Sequence, residues 1–280
     1  MEKLVPATIQ NILNLIDHEA SFSLSEKWDN SGLQAGDPAW HVRKILIALD
    51  PSLQVMQEAV KIKADLVLTH HPLFIKPPGS INFNCMPGSA IAISAREKIS
   101  IISAHTNLDK AQNGLNDYFA EIIGLKEIRP LNDESDELVT STASNCEINN
   151  IGRKGKLDKV YSLKAFALNI KEKLNLNYIR VTGGEESSIK TAAVVTGSGG
   201  SMVEDFFQSK TDVFITGDVK YHEARLVEQK RLALIDVGHF GSEYIAIQLL
   251  ADKLTTASQN KNYNFEIIEY ENELDPFNIF

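Results

Sequence analysis

Apolar positions along the chain fall into two alternating patterns. Residues 7–18 (ATIQNILNLIDH) place Ile9, Ile12, Leu13 and Ile16 on one face at helical spacing. The tract WDNSGLQAGD that follows reads as a loop because of its Asp, Asn and Gly residues. Short apolar runs then alternate with amphipathic stretches. They predict strands at 44–50, 65–71 and 100–106, with helices at 52–63, 88–98 and 113–125. PLFIKPPGSINFN, rich in Pro and Gly, cannot continue a strand. Residues 128–150 are polar and lack periodicity, so they read as a connector. Beyond it the pattern predicts strands at 151–157, 177–182, 191–197, 212–218, 232–239 and 264–271. Helices are predicted at 161–174, across GSMVEDFFQSK and YHEARLVEQK, and at 241–254. Strands alternating with helices imply α/β halves with mixed, mainly parallel sheets flanked by helices.

The two halves are related. Residues 44–69 align without a gap to 191–216, so that Lys63 meets Lys210, Asp65 meets Asp212 and Thr69 meets Thr216. The next strand ends in His-x3-acid in both halves, His105 with Asp109 and His239 with Glu243. His70 and His71 have no counterpart, since Gly217 and Asp218 stand there. The expected organisation is an N-terminal α/β domain at 1–127, a connector at 128–150 and a C-terminal α/β domain at 151–280.

The 280 residues suit one large or two medium domains, and 43% hydrophobic composition is enough for a substantial core. A formal net charge of −9 argues against general binding to nucleic acid or anionic membrane. Cys85 and Cys146 form no CxxC pair, which speaks against a thiolate zinc site and fits a reducing cytoplasm. No secretory leader and no apolar run long enough for a membrane span is expected.

Three tracts end an apolar run in His or an acid: LVLTHHPLF (His70, His71), SAHTNLD (Asp109) and DVGHFGSE (His239, Glu243). Strand carboxyl ends are where α/β proteins place ligands. These five side chains suit two divalent ions and a bridging water, a nucleophile near neutral pH. Structural alternatives stand beside that reading. His70 and His71 could be a surface pair beside a proline loop, Asp109 a helix cap and Glu243 a first-turn acid. Glu243, four residues after a strand-end His, is given the bridging role. His105 could be a ligand, a support for one or a proton shuttle, the last two together being favoured. His222, in TGDVKYHEA with Asp218 and Lys220, reads equally as a general acid/base or as a solvated helix start. The turn VVTGSGGSM could cradle an anion with its amides, although it is no Walker or dinucleotide motif. An imidazole and carboxylate set without thiolates suits Zn, Mn, Fe or Co.

The tracts WDNSGLQAGD, DLVLTHHPLF, SAHTNLD, NNIGRKGKL, VVTGSGGS, DVFITGDVKYHEA and VGHFGSE occur in this order over nearly the whole chain. Together they resemble the NIF-three-like family, whose members carry the name GTP cyclohydrolase 1 type 2 homolog. The resemblance implies two α/β domains around a dinuclear metal site in the cleft between them, and a ring-shaped homohexamer. It implies two divalent ions per subunit, with His70, His71, Asp109, His239 and Glu243 as ligands and Glu243 touching both. Residues 128–150 are too few for the middle domain that longer members insert, so the compact form is expected. NNIGRKGKL departs from the family with Lys154 and Lys156, more basic than usual.

The expected function is a metal-dependent hydrolase acting on a purine nucleotide such as GTP. Hydroxide on the metal would attack C8 of guanine, His105 or His222 would shuttle protons, and the GSGGS turn and Lys220 would hold phosphates. A phosphoesterase using the same metal pair, or a non-enzymatic metal-holding ring that binds partners, are the alternatives.

Overall fold

A computed structural model describes residues 5–133 and 151–279. In chain order its elements begin β1 (Ala7–Thr8), α1 (Ile9–Glu19), β2 (Gly32–Ala35), β3 (His41–Val42), β4 (Lys44–Ala48), α2 (Leu53–Ile62), β5 (Leu66–Thr69) and α3 (Gly88–Glu97). Next come β6 (Ser100–Ser103), α4 (Thr106–Lys110), α5 (Leu115–Ile123), β7 (Lys126–Pro130), β8 (Arg153–Ser162), α6 (Leu163–Lys173), β9 (Arg180–Thr182) and β10 (Ser188–Ser198). The chain closes with α7 (Val203–Ser209), β11 (Val213–Gly217), α8 (Tyr221–Gln229), β12 (Ala233–Asp236), α9 (His239–Glu243), α10 (Ala246–Lys261) and β13 (Glu266–Glu269).

Two compact units share these elements. One runs to Ala111 and adds Ile245–Leu274; the other comprises Gln112–Tyr244 and the residues from Asp275 on. Among the described residues the first unit holds a sheet of order β13-β4-β5-β6-β2, parallel except for β2. Its central strands carry continuous apolar runs because helices cover both faces, and Ile45–Ala48 and Leu66–Leu68 are fully buried. Val55, Met56 and Ala59 of α2 and Ala90 and Ile93 of α3 pack with Leu46, Val67 and Ile101. The second unit holds a sheet of order β7-β8-β10-β11-β12-β9, in which β10, β11 and β12 are parallel and the outer strands antiparallel. Its core centres on Phe206 of α7 stacked on Phe214 of β11, ring centroids 5.2 Å apart.

The internal repeat is written into the hydrogen bonds. Asp65 Oδ2 accepts from the backbone N–H groups of Arg43 and Lys44 at 2.8 and 3.0 Å. Asp212 Oδ2 accepts from those of Lys190 and Thr191, both at 2.8 Å. Lys63 and Lys210 each end a helix in the left-handed conformation. Ala104 N–H donates to Thr69 O as Val237 N–H donates to Thr216 O, both at 2.9 Å. After that point the second unit has one extra residue, Gly238, at φ 77°.

The division of the chain departs from the expected one at both ends. α5 and β7 belong to the second unit, because β7 pairs antiparallel with β8. The final helix and strand return to the first, because β13 pairs in parallel with β4 and α10 packs on α1. Neither return is signalled locally, since strand pairing is decided by distant sequence. β2 lies inside the tract read as loop, four residues whose Gly and Gln mask the strand pattern. The expected helix at 241–254 is two helices, α9 and α10, separated at Tyr244–Ile245. On α1 the inward face is Ile9, Ile12, Leu15 and Ile16, with Leu13 only partly buried. Residues 134–150 of the connector, Cys146 among them, lie outside the described residues. No helix among the described residues is long and apolar enough to cross a membrane.

Asp212→Ala removes the acceptor for two backbone N–H groups and the Thr191 hydroxyl. The expected cost is about 1–3 kcal/mol of stability, read by denaturant unfolding against wild type.

Candidate metal centre

In the first unit the carboxyl ends of β4, β5 and β6 lie side by side, with Ala48 paired to Thr69 and Thr69 to Ser103. The residues that follow these strands therefore meet at one edge. β5 stops at Thr69, so His70 and His71 escape the up–down alternation of a strand, and their ring centroids are 5.1 Å apart. The His105 ring lies 5.2 Å from that of His70 and 5.7 Å from that of His71. One ligating atom from each of the three lies within 4.8 Å of the others. Asp109, one turn into α4, is buried, with Oδ1 3.7 Å from His70 Nε2.

Each imidazole is fixed through Nδ1. His70 Nδ1 is 2.8 Å from the carbonyl oxygen of Ala104. A carbonyl only accepts, so Nδ1 carries the proton and Nε2 the lone pair. His71 Nδ1 is 2.8 Å from Asp50 Oδ1, and His105 Nδ1 is 2.7 Å from Asp29 Oδ1. Such partners set the tautomer and ring orientation of metal-binding histidines. Asp29 is heavily bonded. It also accepts from the backbone N–H groups of Asn30 and Thr106 and from the hydroxyls of Ser31 and Thr106. Burial pushes its pKa up, but the hydrogen bonds from His105 and Thr106 outweigh that and hold it well below the ordinary carboxylate range.

The second unit repeats the device. β12 leads through Gly238 into α9, and His239 Nδ1 is 2.8 Å from Asp218 Oδ2 at the end of β11. His239 Nε2 is 2.9 Å from Oε2 of Glu243, which is 3% exposed. Both nitrogens of this imidazole therefore face carboxylate oxygens, an arrangement that suits a divalent cation at Nε2. Gly197 makes room for this carboxylate. At φ +65°, a Cβ there would lie 2.1 Å from Glu243 Oε1. The donors are imidazoles and carboxylates without thiolate, and this chemistry fits a divalent transition metal.

The decisive comparison is with the sequence profile of Duf34/NIF3 (NGG1p interacting factor 3), which matches residues 7–276. The chain belongs to the DUF34/NIF3 family. Its relatives include the GTP cyclohydrolase 1 type 2 homolog of Clostridium acetobutylicum, 32% identical over 96% of this chain and 97% of that one. The protein of the same name from Clostridium perfringens is 34% identical over 96% of this chain and 98% of that one. Among solved structures, a hypothetical protein of Staphylococcus aureus superposes with a TM-score of 0.89 at 29% identity, covering 99% of this chain and 100% of that one. Reduced HcgD from Methanocaldococcus jannaschii gives 0.77 at 30% identity, covering 96% and 100%.

As a DUF34/NIF3 member the chain brings His70, His71, His105 and Asp109 together in one unit and His239 and Glu243 in the other. His222 is placed differently. It is exposed near the start of α8, edge-on to Tyr221, and enters none of the close donor sets found among the described residues. In the GSGGS turn, which could have offered its amides to an anion, two of those amides are engaged within the fold. Gly197 N–H donates to Ser242 Oγ at 2.8 Å and Gly199 N–H to Thr216 Oγ1 at 3.0 Å. Sequence reasoning passed over Asp50 and Asp29. Asp50 carried a signal, an acid directly after an apolar strand; Asp29, in a loop of polar residues, carried none.

Gly197→Ala is expected to displace Glu243 and lower metal affinity at least about tenfold. Ser198→Ala, next door and exposed, is expected to leave it unchanged. Metal per chain after dialysis, measured by plasma mass spectrometry, checks both.

Proposed function

We propose that the chain is a divalent-metal-dependent hydrolase acting on a purine nucleotide. His70, His71, Asp109, His239 and Glu243 would hold two ions, with Glu243 in contact with both. The observation that carries the reading is that His70, His71 and His239 each have Nδ1 engaged by an oxygen, which directs Nε2 to a ligand. The name shared by the clostridial relatives supports the purine nucleotide. The ions, when bound, would supply Lewis-acid polarisation and bring the pKa of water near neutrality.

The chain's own residues do the rest. Ala104, Asp50 and Asp218 orient the ligand imidazoles. Glu243, buried against Gly197, contributes negative charge where two cations need it. His105 has Nδ1 held by an ionised Asp29, which leaves Nε2 to take up and return a proton. A homohexamer belongs to the same proposal, and sedimentation as a stable monomer would remove it.

Purified protein loaded with Mn, Zn or Fe(II) is incubated with GTP, and the nucleotide is followed by chromatography with mass detection. Ring-opened product is expected, absent in Glu243→Ala. Phosphate release without ring opening would replace the reading by a phosphoesterase, and unchanged GTP under every metal would overturn it.

A further inference from the structure

We propose that the indole of Trp28 is the stacking face for the planar ring of the substrate, at the edge of the histidine cluster; this deepens the nucleotide reading and rests on it. Trp28 is 54% exposed, although a large aromatic side chain gains most from burial. Its ring centroid lies 6.2 Å from that of His105, with the planes at 77°. Whatever covers the indole therefore lies beside the residue assigned to proton transfer.

The segment around Trp28 is held firmly. Glu26 N–H donates to Thr106 Oγ1 at 2.9 Å, and Glu26 Oε1 accepts from buried Lys110 at 2.7 Å. Asp29 N–H donates to Glu26 O at 2.9 Å, closing a turn over Trp28, and the Asp29 side chain is bound to His105 and Thr106. Asn30 Nδ2 donates to Phe74 O at 2.8 Å. A backbone anchored on both sides of Trp28 presents the indole beside the metal-donor cluster. Stacking also tolerates different bases, because every base offers a π-face. The corresponding selectivity is for nucleotides and other planar heteroaromatics over phosphate esters that lack a ring.

The chain has two tryptophans, so Trp40→Phe leaves Trp28 as the sole indole emitter. In that variant, metal-loaded, GTP is expected to quench emission saturably while tripolyphosphate does not. Trp28→Leu, apolar but without an aromatic face, is expected to weaken GTP binding about tenfold by calorimetry, with Trp28→Phe much closer to wild type and metal content unchanged in both. Equal affinity in Trp28→Leu, equal quenching by tripolyphosphate, or no quenching by any of GTP, ATP and CTP overturns the proposal. So does dissociation of an oligomer in Trp28→Leu with nucleotide affinity unchanged, which would make the indole a subunit contact. Quenching without turnover keeps the stacking face and removes the hydrolase reading. Turnover with an unaltered KM in Trp28→Leu does the reverse.

Discussion

The hydrogen bond between each imidazole Nδ1 and an oxygen at a neighbouring chain segment is the interaction on which the site depends. A histidine at a loop tip would sample both tautomers and several ring orientations. Here a backbone carbonyl (Ala104) or a carboxylate (Asp50, Asp29, Asp218) fixes both. Asp50 reaches His71 from the next strand, as Asp218 reaches His239, so strand pairing itself sets these distances. The apolar runs that drive sheet formation thereby also decide the chemistry at its carboxyl edge.

The internal repeat gives each unit a His-x3-acid tract after its third parallel strand, but the oxygen partners of the imidazoles stand at non-equivalent positions, Asp29 for His105 and Asp218 for His239. Asp65 and Asp212 tie down the starts of equivalent strands by the same bonds. Past the third parallel strand the halves diverge by one residue, Gly238, and by the acid that follows. Asp109 is short and Glu243 longer, and Gly197 in the opposing turn supplies the space the longer carboxylate fills. Within this glycine-rich turn, Gly197 is the position that gives Glu243 its clearance.

Much of this was legible in the sequence. The alternation of apolar runs and amphipathic helices fixed the α/β class, and the gapless match of 44–69 to 191–216 located the repeat. The His-x3-acid tracts pointed to strand ends because apolar runs precede them. What was not legible depends on contacts between distant residues. The pairing of β13 with β4, which moves the last helix and strand into the first unit, has no local mark. Asp29 lies 76 positions from the histidine it holds, inside a loop rich in polar residues. His222 stands a few residues past a strand end, as the candidate ligands do, but α8 carries it to solvent.

The most direct measurement of the central claim is anomalous X-ray scattering from crystals grown with Zn or Mn. The account predicts strong metal peaks at Nε2 of His70, His71 and His239 and at the Glu243 carboxylate, with every Nδ1 still on its oxygen partner. Ions bound through Nδ1, or no peak at these residues at saturating metal, would contradict it.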